Sequence, residues 1–255
     1  YRSTNRGETW FLMPYSRELQ PEFTRFGAVL ATSAPSSDAF LVKFVGGTPV
    51  FATYFGGSGN ETVAAVKTDP AGNVWIAGTT WSNDLPVTPG AMRRTLSGSS
   101  DGFVAEFSPG GVLLYCTYVG GSADDGISGL AVDPYGELWI TGATWSLDYP
   151  GATNTAPNGA GSYVYAAKLT ASATKIAFAT YIGGPLYDSP GGVATDRDGA
   201  AIVTGTTYWP AFPVTSGAYR APSPPGPTPS PFTARNPRAR ISSFDPSRDT
   251  RTSVP

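Results

Sequence analysis

A fixed internal period constrains this chain more than any other feature. The run Thr53-Tyr54-Phe55-Gly56-Gly57 returns as Thr117-Tyr118-Val119-Gly120-Gly121 and again as Thr180-Tyr181-Ile182-Gly183-Gly184, at offsets of 64 and 63. A second marker, Gly78-Thr79-Thr80, Gly142-Ala143-Thr144 and Gly205-Thr206-Thr207, keeps the same step. Two independent markers on one period identify a repeat architecture, in which each unit buries its apolar surface against the next.

Each copy contains four strand-like runs. In the first these are 39–44, 50–55, 62–68 and 73–79; in the second, 102–107, 112–119, 127–132 and 137–143; in the third, 163–169, 175–182, 192–195 and 200–206. Phe103, Ala105 and Phe107 alternate with Val104 and Glu106, the two-residue period of a strand. Asp69-Pro70-Ala71-Gly72, Asp133-Pro134-Tyr135-Gly136 and Asp196-Arg197-Asp198-Gly199 fall at one place in every copy and carry the chemistry of a tight hairpin: Asp to close the turn, Gly for its left-handed position. Strands such as Leu138-Trp139-Ile140 are apolar on both faces, so their sheet must be covered on both faces. Stacking four-stranded antiparallel blades around an axis achieves this, and the expected fold is an all-β propeller. The expected divisions are 1–37, a partial blade or hairpin with a connector; 38–100, 101–160 and 161–220, one four-stranded blade each; and 221–255, a Pro-rich linker and tail. Runs such as 81–100 are expected to lead from one blade to the next.

Composition narrows the function. With 40% hydrophobic and 14% charged residues, the chain can bury a sizeable core. A net charge of −2 with no long basic run gives nucleic acid nothing to bind, and no apolar run reaches the roughly 18 residues of a membrane helix. There is no histidine, which removes Ser-His-Asp and Cys-His catalysis and His-ligated zinc. The single cysteine, Cys116, aligns with Ala52 and Ala179 and reads as a small buried apolar residue. No catalytic constellation emerges and no cofactor is called for.

The pattern Asp-Ala-Phe-Leu-Val-Lys-Phe from Asp38, Thr-Tyr-Phe-Gly-Gly-Ser-Gly from Thr53, Asp-Pro-Ala-Gly-Asn-Val-Trp-Ile-Ala-Gly-Thr-Thr from Asp69 and Asp84-Leu85-Pro86-Val87 resembles the SBBP-type β-propeller repeat. The likeness covers about 38–220; Pro185-Leu186-Tyr187-Asp188 departs from it in the third copy, as does the loop after Trp145. The resemblance implies a secreted or cell-surface bacterial or archaeal protein and a propeller fold, with little about chemistry. Near the N-terminus, Ser3, Asn5, Gly7 and Trp10 resemble the Asp-box hairpin of sialidase-like propellers, with Asn5 in place of Asp. That box is a turn signature, and Arg93-Arg94 alone supplies no sialidase-type arginine cluster.

Several residues carry more than one reading. Asp124-Asp125 could hold Ca2+ through oxygen ligands or act as an acid pair, yet its counterparts Asn60-Glu61 and Asp188 make it a recurring turn. Trp81, Trp145 and Tyr208-Trp209 follow the fourth strand of each copy; they either wedge between blades or stack on sugar rings at one rim. Asn60-Glu61-Thr62 is an N-glycosylation sequon, and Ser223–Thr233 lies in a segment suited to O-linked sugar. A strand is expected near 26–32, and Ala239–Pro246 resembles the opening strand of a further repeat. These breaks in the repeat point to self-assembly through 1–13 and 221–255. The expected function is thus an extracellular, non-enzymatic structural or adhesive protein; the alternative is a glycan- or protein-binding module of a larger surface protein.

Overall fold

The computed structural model describes residues 36–157, 161–210 and 212–219. Twelve strands follow in chain order: β1 (Ala39–Val45), β2 (Thr48–Phe55), β3 (Glu61–Thr68), β4 (Val74–Thr80), β5 (Asp101–Phe107), β6 (Leu113–Val119), β7 (Asp125–Val132), β8 (Leu138–Thr144), β9 (Tyr163–Leu169), β10 (Ile176–Ile182), β11 (Asp188–Thr195) and β12 (Ala201–Thr207). They form antiparallel sheets in the orders β3-β4-β5-β6 and β10-β9-β8-β7, flanked by the two-stranded sheets β1-β2 and β11-β12. The all-β, four-stranded blade expected from the sequence is present. The hairpin expected at 3–10, the strand near 26–32 and the segment 221–255 lie outside the described residues.

The blades are half a repeat out of step with the sequence unit. Assigning one blade to each of 38–100, 101–160 and 161–220 is therefore incorrect. Each full blade takes its first two strands from one repeat and its last two from the next. The long runs 81–100 and 145–162 join hydrogen-bonded neighbours of one sheet, β4 to β5 and β8 to β9. The five-residue Gly-Gly segments 56–60, 120–124 and 183–187 carry the chain between sheets. Loop length suggests the opposite, because short links usually join neighbours. Turn chemistry separates the two cases. The hairpins use a left-handed glycine, with φ of 84° at Gly72, 85° at Gly111, 81° at Gly136 and 83° at Gly199.

The long in-sheet connections are held by buried tyrosines. Tyr118 donates its hydroxyl to Ser82 O (2.7 Å) and accepts from Leu85 N (3.1 Å). One blade on, Tyr181 does the same with Ser146 O (2.8 Å) and Tyr149 N (2.9 Å). These bonds satisfy backbone groups that folding removes from water.

Successive blades stack through their first strands. β7 lies across β3, β4 and β5, and β11 lies across β7, β8 and β9. The buried face of the second blade brings Val104 and Val119 against Ile127, Leu130 and Ile140; a separate cluster joins Phe55 of β2 to Phe103 and Phe107 of β5. The Phe55 and Phe103 rings lie 5.2 Å apart, and Phe55 meets Phe107 edge-on at 5.8 Å. β3, β7 and β11 each carry a bulge, at Val63/Ala65, Ile127/Gly129 and Pro190/Gly192. β11 begins four residues before its expected start. Pro190 fits there because β11 is the edge strand of its sheet.

Candidate functional site

The recurring acids converge on the Gly-Gly segments. In the first such segment, Glu61 accepts from Gly57 N (3.1 Å), Thr80 Oγ1 (2.7 Å) and Ser82 Oγ (2.6 Å). In the second, Asp125 accepts from Gly121 N (2.6 Å) and Ser146 Oγ (2.9 Å). In the third, Asp188 accepts from Gly184 N (2.9 Å). In the first two of these segments a second acid binds as well. Asp84 accepts from Ser58 N and Oγ at 2.7 and 3.0 Å, and Asp148 from Ser122 N and Oγ at 3.0 and 2.9 Å. At these two joints the chain leaves one sheet and enters the next bonded to two carboxylates. A methyl on Gly56 would strike Glu61, and one on Gly121 would strike Ser146. Glycine is required there by close approach.

The middle joint holds the strongest electrostatics. A methyl on Gly120 would run into carboxylate oxygens of both Asp101 and Asp125, so the two acids flank one glycine. Both are buried, and Oδ1 of each has no hydrogen-bond partner. Burial pushes Asp101 up to about 7; Ser97 N–H and Arg93 pull against this, and the charges of Asp125 and Asp124 add to it. Burial also raises Asp125, against bonds from Thr144, Gly121 and Ser146. Arg93 sits 3.5 Å from Asp101 Oδ1 and donates to Gly120 O at 2.8 Å. Asp148 moves the other way, lowered chiefly by the bond from Ser122 N–H.

The adjacent acids Asp124 and Asp125 take different hydrogen-bond partners. Asp125 turns into the joint while Asp124 accepts from Ser99 N in the neighbouring loop. Adjacent residues entering a strand point to opposite faces, so the two carboxylates meet different neighbours. Among the described residues, no group of three or more Asp, Glu or Cys side chains lies close enough to share a metal ion. Cys116 is buried and its thiol is pushed up to about 12 by desolvation, an unreactive state. Arg93 and Arg94 serve local carbonyls, Gly120 O and Thr88 O, and form no anion site together. Asn60 is exposed, and its amide oxygen accepts from Ser37 N and Oγ.

Trp81, Trp145 and Tyr208 lie open to solvent instead of wedging between blades, whereas Trp209 packs in a joint. Trp81 is 44% exposed and Trp145 52%, and their backbone amides bond to Asn60 O and Asp124 O. The third residue in this series is Tyr208, 71% exposed and bonded to Tyr187 O, rather than Trp209. Trp209 stands where the other repeats have Ser82 and Ser146, with its ring over Gly184. Sequence reading missed the second grip, Asp84 and Asp148. The signal was Ser82-x-Asp84 and Ser146-x-Asp148, in step with Glu61 and Asp125.

Residues 50–86 match the family model of the SBBP β-propeller repeat, a stretch running from β2 through β4 into the loop gripped by Tyr118. No curated protein matches the chain.

Proposed function

Taking the SBBP-type β-propeller repeat as premise, we propose that this chain is a non-catalytic structural module that works outside the cell by associating with copies of itself. The observation that carries the reading is recurrence. Glu61, Asp125 and Asp188 sit at one place in successive joints and are spent on backbone N–H groups and hydroxyls. A catalytic acid is unique to its cleft and faces substrate; these are repeated and face the chain. The extracellular placement rests on the family resemblance alone. Sedimentation velocity and negative-stain electron microscopy of the purified chain test the association: ordered assemblies are expected, and a lone monomer throughout the accessible concentration range would refute it. Immunolabelling of intact cells tests the location.

A second reading is favoured by the exposure of Trp81, Trp145 and Tyr208 at equivalent places in three repeats. Solvated aromatic faces repeated along a rim suit stacking on sugar rings. A glycan array with the wild type and with Trp81→Ala/Trp145→Ala decides it. Binding that survives the double substitution counts against this rim.

A further inference from the structure

The middle joint differs from the two beside it in the acid it buries. Asp101 opens β5 and Asp125 opens β7, strands of different sheets, and Gly120 starts the segment that joins those sheets. A methyl on Gly120 would strike both Asp101 Oδ1 and Asp125 Oδ2, so the two carboxylates stand within the roughly 4–6 Å at which one charge opposes another. Asp101 is 0% exposed and Asp125 1%, and Oδ1 of each has no hydrogen bond. In the first joint, by contrast, both oxygens of Glu61 accept hydrogen bonds. In the third, Tyr163 takes the place of Asp101, since Val164 pairs with Ile182 as Gly102 pairs with Val119.

We propose that the middle joint is a proton-operated latch: one proton on the pair Asp101 and Asp125 keeps segment 120–124 clamped, and its loss lets that segment open while the neighbouring joints stay closed. The count of charges supports this. Two carboxylates face one cation, Arg93, whose guanidinium lies 3.5 Å from Asp101 Oδ1 and donates to Gly120 O. The other titratable groups near the pair, among the described residues, add no positive charge: Asp124 beside it, Asp148 and Tyr149 after β8, Tyr118 on β6 and Tyr165 on β9. Burial keeps the three phenols protonated, and the bond from Ser122 N–H keeps Asp148 ionised. One negative charge is left over in a buried site, and one proton removes it.

The tethers set what opens. Asp125 accepts from Gly121 N at 2.6 Å and Ser146 Oγ at 2.9 Å, and its own N–H donates to Ser100 O at 2.9 Å, next to Asp101. With both acids ionised, repulsion across Gly120 acts on these bonds. Opening returns Asp101 from about 7 to its solvated 3.8, so it releases a proton. The closed joint is therefore fully favoured below 3.8 and loses that advantage as pH rises through about 7.

Hydrogen exchange at single amides reads the latch. After correction for the intrinsic rate, protection at Gly121 and Asp125 is expected to fall about tenfold per pH unit between 3.8 and about 7 and to level off above it. Gly57 and Glu61, at the same places in the first joint, are expected to keep theirs. Asp101→Asn, which cannot ionise, should abolish the fall at Gly121. Protection independent of pH in the wild type would overturn the proposal, as would a fall that persists in Asp101→Asn. A fall shared equally by Gly57 would overturn it too, because the whole fold would then be loosening. Arg93→Gln tests the same pair without touching either acid: lacking the cation, the levelling-off should move up by about one pH unit, and an unmoved value would overturn the latch.

Discussion

At the scale of single residues, the molecule spends its buried acids on its joints. Asp125→Ala removes the acceptor for Gly121 N and Ser146 Oγ and is expected to cost about 2–3 kcal/mol, measured by urea unfolding. Tyr118→Phe strips Leu85 N and Ser82 O of their shared partner and should cost about 1–3 kcal/mol by the same measure. Asp101 predicts a pH dependence of definite sign. Its pKa is 3.8 when solvated and about 7 in the fold, so the folded state holds the proton more tightly. The group's stabilising contribution is complete below the solvated value and is lost as pH rises through about 7. Asp125, which shares Gly120 with it, shifts the same way, and Arg93, Ser97 N–H and Asp124 are the other polar groups facing it. Urea midpoints should therefore fall between these pH values in the wild type and flatten in Asp101→Asn; an equal slope in both would remove Asp101 as the cause. The sequence made Asp124-Asp125 conspicuous by adjacency. The working pair is Asp101 with Asp125, brought together through Gly120 by strand pairing that spacing along the chain does not reveal.

At the scale of elements, strands and hairpin turns were legible because their signals are local. Alternation marks Phe103–Phe107, and Asp-Pro-x-Gly marks the reversal between β3 and β4. Blade boundaries were not legible, because the run 81–100 has the length of a crossover yet folds back within one sheet, pinned by Tyr118. The bulges of β3 and β7 draw the backbone onto the facing strand: a methyl on Gly78 would overlap Thr62 O, and one on Gly142 would overlap Gly126 O. Gly142→Ala is thus expected to destabilise the middle blade by more than about 3 kcal/mol, because the obstruction is backbone and cannot turn aside. Gly110→Ala, whose nearest neighbour would be Ser108 Oγ at 3.9 Å, should stay within about 0.5 kcal/mol. Thermal unfolding of both variants checks the contrast; two equal shifts would show that the bulge tolerates a side chain.

At the scale of the whole molecule, the repeat is offset from the blade, since each full blade takes its first two strands from one repeat and its last two from the next. The offset between repeat and blade has a consequence for how such a chain can change length. The stretch that is copied in the gene is not the stretch that folds. Inserting or deleting one period anywhere in the array therefore adds or removes one whole blade and leaves the pairing of the other blades unchanged.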